Sequence, residues 1–359
     1  MEFLGSIGVK EYYLDDTTAD VGTQMVSTPE SWKRLPGKLM YRVPPIREAV
    51  RAQPGYKLLI SDLSQIEIKL MTFLSQDPWL KEPVNSGKDM HCYMAADVSA
   101  GLYDYDLLYS AKSGRLESHF SANPASVHAR RFGGLTDREM LISELTGARS
   151  DVKCVSFMIP YGATVEGVAI AIRKRDKETG AFTESADDAL VRAQKLLDDY
   201  FDKGRVLKQY LDKCKRDGIK FGIAKSPKGR MRWFTLPEPQ DIDYKKRIAQ
   251  IGRWSSNFPM QSGCVDVLKP AAARFYRNLR GGNVVGPVLY PGARIMLLVH
   301  DEIVSTAPEQ YASPVAEHLR EAMTWAYNDI HAEIQGVTHC LSEIRNKVDV
   351  ITEDYWVKD

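Results

Sequence analysis

Residues 57–70 read KLLISDLSQIEIKL, an apolar run followed by a turn and the start of a helix. The run over 58–60 is continuous, which is typical of a strand buried on both faces, and Asp62 ends it. Glu67 shares one face of the predicted helix with Leu70 and Leu74. Both carboxylates are therefore directed towards the protein interior, where a charge needs a cation or hydrogen-bond donors as partners.

A second acidic turn lies in LLVHDEIV, residues 297–304, where Asp301 and Glu302 join two apolar runs that predict a hairpin. A solvated turn and a functional turn both fit this pattern. If Asp301 met Asp62 at about 4 Å, their repulsion would be roughly 4 kcal/mol at an effective dielectric near 20. Such a pair needs a proton or a cation, and hard oxygen ligands with few nearby histidines favour magnesium over zinc. Two carboxylates that hold two magnesium ions are suited to in-line displacement at phosphorus.

A third pattern is RSDVKCVSFMIPYG, residues 149–162, in which Arg149, Lys153, Phe157 and Tyr161 recur every four residues. On a helix this spacing gives one face with cations at one end and aromatic rings at the other. One interpretation is a solvated basic turn that leads into a core-facing aromatic turn. The other is a cationic face for a triphosphate beside an aromatic platform for a base.

The composition is that of an ordinary soluble protein, with 359 residues, 26% charged side chains and a formal net charge of +1. This charge argues against general coating of nucleic acid but allows a locally basic groove. No apolar run is long enough to cross a bilayer, and the first residues lack the pattern of a signal peptide, so we expect a cytoplasmic protein without membrane contact. The five cysteines form no CxxC pair, which argues against a disulfide framework and a zinc site.

Periodicity and turn residues predict the remaining organisation. Short hairpins precede the strand at 57–62, and helices are predicted over 64–75, over 136–161, over 184–218 with a possible break at Gly204, and from Pro308 to Asp329. Residues 220–236 predict a basic hairpin with its turn at Pro227 and Gly229. The pattern over 101–134 is irregular and rich in Tyr, His and Arg, which indicates an inserted surface segment. A bare surface loop and a binding site for DNA or a partner are both open for this segment.

Four motifs in order now carry a family resemblance: SDLSQIE at 61–67, RxxxKxxxFxxxYG at 149–162, NFPMQSG at 257–263 and VHDE at 299–302, with GRMRW at 229–233 before the third. Together they resemble the motifs of the family A DNA polymerases, the type of bacterial DNA polymerase I. The resemblance covers about residue 22 to the C-terminus and implies the palm and fingers of that family. The implied fold is α+β, with an antiparallel palm sheet that carries the catalytic aspartates, a mostly helical fingers subdomain, and no thumb or exonuclease domain. The predicted domains are N-terminal hairpins and the first half of the palm at 1–92, the inserted segment at 93–135, the fingers at 136–250 and the second half of the palm at 251–359.

The resemblance implies roles for the acidic residues. Asp62 and Asp301 resemble the two metal-binding aspartates, which would hold two Mg²⁺ ions, with Mn²⁺ as a substitute. The backbone carbonyl of Leu63 would add a ligand, and Glu302 resembles the supporting carboxylate. Glu67 resembles the residue that crowds the 2′ position of the incoming sugar, so the expected substrates are deoxynucleotides.

The resemblance also implies residues that bind nucleotide and DNA. Arg149 and Lys153 would bind the triphosphate, and Lys153 would also protonate the leaving pyrophosphate. His91, in KDMHCYMAAD, matches a histidine that contacts phosphates, although a surface histidine is an open alternative. Phe157 would pack on the sugar, Tyr161 would stack at the templating position, and Gln65 would contact the substrate. The predicted DNA-binding residues are Arg230, Arg232, Arg253, Asn257, Gln261 and His300.

The sequence departs from the family pattern at several points. Leu63 replaces an aromatic residue, Gly263 lies one place later than expected, and Pro160 must disturb the end of the fingers helix. Only 61 residues precede Asp62, without a long helical pattern or an acidic exonuclease motif. A thumb binds duplex DNA through many phosphate contacts. We therefore expect a separate polypeptide to supply the thumb, the exonuclease or both, as in a split replication enzyme of a phage or other mobile element.

The leading hypothesis is a DNA-directed DNA polymerase that acts on primer-template DNA and dNTPs by two-metal-ion phosphoryl transfer. The alternative is a non-catalytic polymerase relic that binds nucleic acid and serves as an assembly subunit. The metal ligands, phosphate-binding cations and sugar gate occur together, which favours the enzyme. Whether such an enzyme also copies RNA, or serves repair rather than replication, stays open.

Overall fold

The computed structural model describes residues 11–13, 32–34, 39–42, 46–99, 101–132, 135–174, 182–282 and 288–356. Its strands are β1 (Glu11–Tyr13), β2 (Trp32–Arg34), β3 (Leu39–Arg42), β4 (Tyr56–Asp62), β5 (Ile223–Lys225), β6 (Met231–Trp233), β7 (Arg294–Val299), β8 (Glu302–Pro308), β9 (His331–Ile334), β10 (Val337–Cys340) and β11 (Val350–Glu353). The α-helices are α1 (Ile66–Ser75), α2 (Pro78–Ser86), α3 (Met90–Val98), α4 (Tyr105–Lys112), α5 (Leu116–Ala122), α6 (Val127–Phe132), α7 (Leu135–Met158), α8 (Val165–Ile172), α9 (Ala186–Lys203), α10 (Arg205–Phe221), α11 (Tyr244–Asn278) and α12 (Ala312–Asn328). Helices thus combine with antiparallel strands, as an α+β fold requires.

The central sheet has the order β11-β4-β8-β7, and each neighbouring pair is antiparallel. Strand β4 lies inside this sheet because its apolar run is buried on both faces, with Leu58, Leu59 and Ile60 almost fully covered. The predicted strand at 57–62 and the hairpin around 300–302 are both confirmed. Since β4 pairs with β8 along its whole length, the C-terminal end of β4 lies beside the N-terminal end of β8 at one edge of the sheet.

Helix α11 organises the helical part of the molecule. It packs against α1, α10 and α12 along its length. Two glycines permit close helix crossings: a Cβ on Gly218 of α10 would overlap Ser255, and a Cβ on Gly263 would lie 3.0 Å from a methyl group of Leu70. Helix α11 therefore connects the helix that carries Glu67 to the rest of the fold.

The other predicted helices are confirmed with small shifts of their ends. The chain breaks at Gly204 into α9 and α10, and the predicted helix at 136–161 is α7 followed by a 3-10 turn at Ile159–Tyr161. The turn begins one residue before Pro160, whose ring lacks the N–H that an α-helix would need. Gly162 then takes a left-handed conformation with φ 72°.

The interpretation of residues 101–134 as an irregular segment is wrong for the described residues. This part of the chain forms α4, α5 and α6, and it buries Leu107, Leu108, Leu116 and Phe120 in the main core. The helices are only six to eight residues long, so their periodicity is too short to stand out from the many polar positions. The predicted domain boundary at 92/93 falls inside α3, and the boundary at 250/251 falls inside α11.

The N-terminal hairpins are described only in part. Strands β1, β3 and β2 form a small antiparallel sheet, while residues 1–10, 14–31, 35–38 and 43–45 of the predicted hairpins lie outside the described residues. Within the described ranges, none of the helices combines the length and the apolar character that crossing a membrane requires.

Candidate active site

The two predicted metal-binding aspartates lie at the same edge of the central sheet. Asp62 at the end of β4 is the direct cross-strand partner of Glu302, the first residue of β8. The backbone N–H of Leu63 donates to the backbone carbonyl of Asp301 over 3.2 Å. Sheet pairing and this hydrogen bond therefore fix the backbone of both aspartates next to each other.

A chain of polar contacts joins four predicted site residues to Asp301. Gln261 Nε2 donates to the Tyr161 hydroxyl over 2.8 Å, and this hydroxyl donates to Glu67 Oε1 over 3.2 Å. His300 Nε2 lies 3.4 Å from Glu67 Oε1, and His300 Nδ1 lies 3.2 Å from Asp301 Oδ1. The chain thus connects α11, the 3-10 turn after α7, α1 and the β7–β8 turn. Residues from four distant stretches of sequence meet at one place.

Two residues of this region have unusual backbone conformations. Gln65, which is exposed just before α1, has φ 54°, and His300 at the β7–β8 turn has φ 55°. Non-glycine residues rarely adopt positive φ, and such conformations concentrate at functional sites. Both lie beside the predicted metal-binding aspartates, one after Leu63 and one before Asp301.

The donors at this edge fit magnesium. Asp62 and Asp301 supply hard carboxylate oxygens, and the carbonyl of Leu63 accepts one hydrogen bond, from Ile66 N–H over 2.9 Å, which leaves it a second lone pair. Across the parts of the chain that the structure describes, no three His, Cys, Asp or Glu side chains converge on a point that could hold a metal ion. Magnesium is commonly held by one or two carboxylates, with water and substrate phosphates as its other ligands, so this donor set is sufficient.

The charges around the site act on two buried neighbours. Burial lowers the pKa of Lys69 to about 8, while the negative charge of Asp62 acts in the opposite direction. Burial raises the pKa of the Cys264 thiol, and the charges of Glu67 and Asp301 raise it further. The electrostatic potential at this edge is therefore negative, which favours a bound cation.

Glu302 has a different environment from the aspartates. Its side chain is only 6% exposed and accepts from Arg47 over 2.7 Å at Oε2 and from the indole N–H of Trp356 at Oε1. The Arg47 guanidinium also lies 4.2 Å from the centre of the Trp356 ring. Each carboxylate oxygen thus accepts from a different side chain, one that precedes β4 in the sequence and one that follows β11. These contacts give Glu302 a structural function in this arrangement.

Helix α7 presents the predicted nucleotide-binding face. Val152 and Val155 are buried, whereas Lys153 and Phe157 are exposed, and the Lys153 ammonium lies 5.8 Å from the centre of the Phe157 ring. The opposite side of the helix is thus held by the core. The exposed face keeps a cation and an aromatic ring next to each other, one turn before Tyr161.

Arg149 and His91 meet at the start of α3. Arg149 donates to Asp89 through Nε over 3.2 Å and through Nη2 over 3.0 Å. Burial alone would raise the pKa of Asp89, but hydrogen bonds from Arg149 and Lys112 hold it well below its usual range. His91 is not a surface histidine, because it is buried, and its ring centre lies 5.8 Å from that of Phe157. Burial lowers its pKa to about 4, so its imidazole is neutral at pH 7.

Five of the six predicted DNA-binding residues divide into two groups, and the sixth, His300, lies between Glu67 and Asp301 as described above. Arg253, Asn257 and Gln261 follow one face of α11 beside Tyr161. Burial raises the pKa of the Tyr161 hydroxyl, and Gln261 and Asn257 act in the opposite direction. Arg230 is instead tied to the buried Asp266 over 2.8 Å. The hairpin arginine Arg232 stacks over Trp254, 4.7 Å from the ring centre. Within this structure the two hairpin arginines thus fix β5 and β6 on α11.

The sequence patterns missed Asp89, Lys112, Arg47 and Trp356. An aspartate directly before a helix is a signal for an N-cap, and Asp89 does cap α3 by accepting from the N–H of Cys92. No local signal identifies its ion pair with Arg149, which lies 60 positions further along the chain. Arg47 and Trp356 likewise reach Glu302 only through the folded sheet.

Comparisons with known proteins agree with this arrangement. The profile of the family described as "DNA polymerase family A" matches residues 140–339, more than half of the chain. DNA polymerase I of Chloroflexus aurantiacus is 25% identical over 286 residues, and a thermostable DNA polymerase I of Thermus filiformis is 26% identical over 295 residues. These alignments cover 79% and 81% of this chain but only 24% and 27% of the relatives, so the chain spans about a quarter of their length.

A solved structure is similar in fold. It is the POL domain of Pol1 from M. smegmatis in complex with a DNA primer-template and dNTP. The TM-score is 0.60 at 22% sequence identity, and the match covers 87% of this chain and 42% of the other. The family profile, which spans α7, α11 and the hairpin with Asp301, shows that this chain belongs to the family A DNA polymerases.

Proposed function

We propose that this chain catalyses the template-directed addition of deoxynucleotides to a primer 3′-OH. The observation that carries this proposal is the meeting of Asp62, Asp301, Glu67, Tyr161 and Gln261 at one edge of the central sheet. These residues come from separate motifs, and each has a distinct task in nucleotide addition. Membership of the family adds support from the sequence side.

Asp62, Asp301 and the carbonyl of Leu63 are the residues that would hold two Mg²⁺ ions. When bound, such ions activate the attacking hydroxyl and neutralise charge on the phosphates. Arg149 and Lys153 on one face of α7 bind the triphosphate, and the exposed ammonium of Lys153 donates a proton to the leaving pyrophosphate. Phe157 and Tyr161 pack against the sugar and the base pair.

Glu67 accounts for selection of deoxynucleotides. The Tyr161 hydroxyl donates to Oε1 of its carboxylate, and His300 Nε2 lies 3.4 Å from the same oxygen, so two contacts hold its position. A carboxylate that is held in this way forms a wall beside the 2′ carbon of the sugar. A ribose hydroxyl would meet this wall and leave a polar group without a good partner.

Primer extension tests the proposal. The purified chain is incubated with a primed DNA template, Mg²⁺ and either dNTPs or rNTPs, and compared with Asp301→Ala and with the surface control Asp199→Ala. We expect extension with dNTPs that is lost in Asp301→Ala and kept in Asp199→Ala. Binding of primer-template without extension under any of these conditions would instead identify an assembly subunit.

A separate polypeptide that adds contacts with duplex DNA is a further part of the proposal. Its support is the predicted need for additional phosphate contacts with duplex DNA. Co-purification of a partner from the native host, followed by measurement of processivity with and without it, tests this point. A chain that is processive alone would contradict it.

A further inference from the structure

Asp89 binds two cations, and the second one comes from the inserted segment. Lys112 Nζ lies 2.7 Å from Asp89 Oδ2, and Arg149 Nη2 lies 3.0 Å from the same oxygen. Lys112 is the last residue of α4, which belongs to the segment predicted at 93–135. An ammonium group of this segment is therefore in immediate contact with the ion pair of a predicted triphosphate-binding arginine.

The position of Lys112 is fixed by several contacts between α4 and the start of α3. The Asp89 N–H donates to the Tyr105 hydroxyl over 3.1 Å, and the rings of Tyr105 and Tyr109 stack with their centres 5.7 Å apart. The Lys112 ammonium lies 5.7 Å from the centre of the Tyr109 ring. Because Leu107 and Leu108 are buried in the core, α4 cannot easily move away from this place.

The cations lie nearer to solvent than the carboxylate that holds them. The Asp89 side chain is 5% exposed, that of Arg149 is 20% exposed and that of Lys112 is 44% exposed. Arg149 uses Nε and Nη2 for Asp89, which leaves Nη1, and an ammonium group that donates once to Asp89 has two further protons. Donors of both residues therefore remain for an anion that approaches from the solvent side.

The positive charges of Lys112, Arg149 and Lys153 act on one common neighbour, His91. All three positive charges lower the pKa of His91, in addition to the effect of burial, so all three act on the same buried ring. Asp89 compensates one of these three charges. The remaining positive charge suits a polyphosphate, whose oxygens accept charge-assisted hydrogen bonds.

We propose that Lys112 is a third phosphate-binding cation of the nucleotide site, which binds the triphosphate of the incoming nucleotide and the pyrophosphate product. This inference rests on the proposed function for the identity of the ligand. The inserted segment would then be part of the nucleotide site rather than a surface loop.

Two binding measurements with Lys112→Ala test the proposal. One is titration calorimetry with inorganic tripolyphosphate, and the other is the Kd of a dNTP for the complex with a primer-template whose primer ends in a dideoxynucleotide. We expect both ligands to bind roughly tenfold more weakly, the effect of one lost hydrogen bond between charged groups. Lys112→Arg should recover most of the affinity. Lys195→Ala, which removes another exposed lysine in an ion pair, should bind as the wild type does.

An Asp89→Asn background separates phosphate binding from neutralisation of Asp89. Asparagine is as good an N-cap as aspartate, so α3 should keep its start, which circular dichroism and thermal unfolding will check. Direct phosphate contact predicts the same weakening by Lys112→Ala in this background. The proposal is overturned if Lys112→Ala binds both ligands as the wild type does, or if its defect disappears when Asp89 is replaced.

The failure of this inference can be distinguished from the failure of the proposed function. A wild type that extends primers, together with an unaffected Lys112→Ala, would overturn the inference and leave the function intact. A wild type that extends no primer but binds tripolyphosphate in a manner that depends on Lys112 would overturn the function and support the inference.

Discussion

The environment of Glu302 leads to a sharp prediction for Glu302→Gln. Glu302 and Asp62 are direct cross-strand partners, so their side chains project from the same face of the sheet. Like charges in such positions repel each other, and Arg47 neutralises one of them by its contact with Glu302. Glu302→Gln keeps the shape of the side chain and an acceptor for Trp356 but removes the charge that binds Arg47.

The expected loss in the free energy of unfolding follows from the burial of the pair. Arg47 is 25% exposed and Glu302 only 6%, so the pair lies between a surface ion pair and a fully buried one. Exposed pairs contribute about 0–1 kcal/mol, and removal of one partner from a buried pair costs about 3–5 kcal/mol. We therefore expect a loss of roughly 2 kcal/mol. Trp356→Phe, which removes the N–H alone, should cost about 1 kcal/mol.

Urea unfolding and a titration of activity with Mg²⁺ measure the two possible functions of this residue. For Glu302→Gln we expect lower stability and a Mg²⁺ midpoint close to that of the wild type. Asp301→Asn should show the reverse, with nearly unchanged stability and activity that is lost or that requires far more Mg²⁺. The pair of variants thus separates a structural carboxylate from a ligand.

The opposite pattern would refute this reasoning. If Glu302→Gln unfolds as the wild type does but shifts the Mg²⁺ midpoint as strongly as Asp301→Asn, then Glu302 acts on the metal and its contacts with Arg47 and Trp356 are incidental.

Three further predictions follow from the same region. Glu67→Ala should lower the preference for dNTPs over rNTPs by about tenfold or more, measured as the ratio of kcat/KM values, because the wall beside the 2′ position is removed. The pKa of His91 is about 4 in the folded protein, compared with an ordinary value of 6.5, so the unfolded chain binds more protons than the folded protein between these pH values. The free energy of unfolding should therefore fall as the pH drops from 6.5 to 4, by up to about 1.4 kcal/mol per pH unit. In urea unfolding, His91→Leu should remove this contribution to the pH dependence. Gly162→Ala should destabilise the protein by more than Gly229→Ala does. Both glycines have positive φ, but only at Gly162 would a Cβ meet a side chain, since it would lie 2.5 Å from Arg253 Cγ. Equal free energies of unfolding for the two variants would contradict this.

The elements that sequence predicted well are those whose cause is local. The continuous apolar run before Asp62 predicts a strand that is covered on both faces, because successive side chains of a strand point to opposite faces of the sheet. This strand is β4, which pairs with β11 and β8. Pro160 ends its helix because its ring lacks the N–H that an α-helix needs. At Gly204 the chain also breaks as predicted, and a Cβ there would lie 3.3 Å from the Trp79 ring. The helices within 93–135 were missed because each is too short to show a period, and their apolar residues become significant only where they enter the core.

The site was predictable where function requires a fixed spacing and unpredictable where a partner is distant in sequence. Arg149, Lys153 and Phe157 form one face of α7 because a spacing of four is a property of the helix itself. By contrast, the contact of Arg149 with Asp89 depends on the packing of α3 against α7, which no local pattern encodes. The resemblance to known motifs assigns roles to residues near the predicted substrate, whereas the contact of Asp89 with Arg149 has no motif that would indicate it.

The neighbours Asp301 and Glu302 illustrate this difference within two residues. Both are acidic and both lie at the tip of one hairpin, so the local pattern of residues offers no reason to separate them, and only the family resemblance assigns them different roles. Asp301 lies in the turn, partly exposed and next to His300, whereas Glu302 begins β8 and is enclosed by Arg47 and Trp356. The turn leaves the first carboxylate available to a cation, and the strand assigns the second to the core. Because Arg47 neutralises Glu302 directly across from Asp62, the repulsion at this edge of the sheet is smaller than three unpaired carboxylates would produce, and a bound cation has less of it to offset.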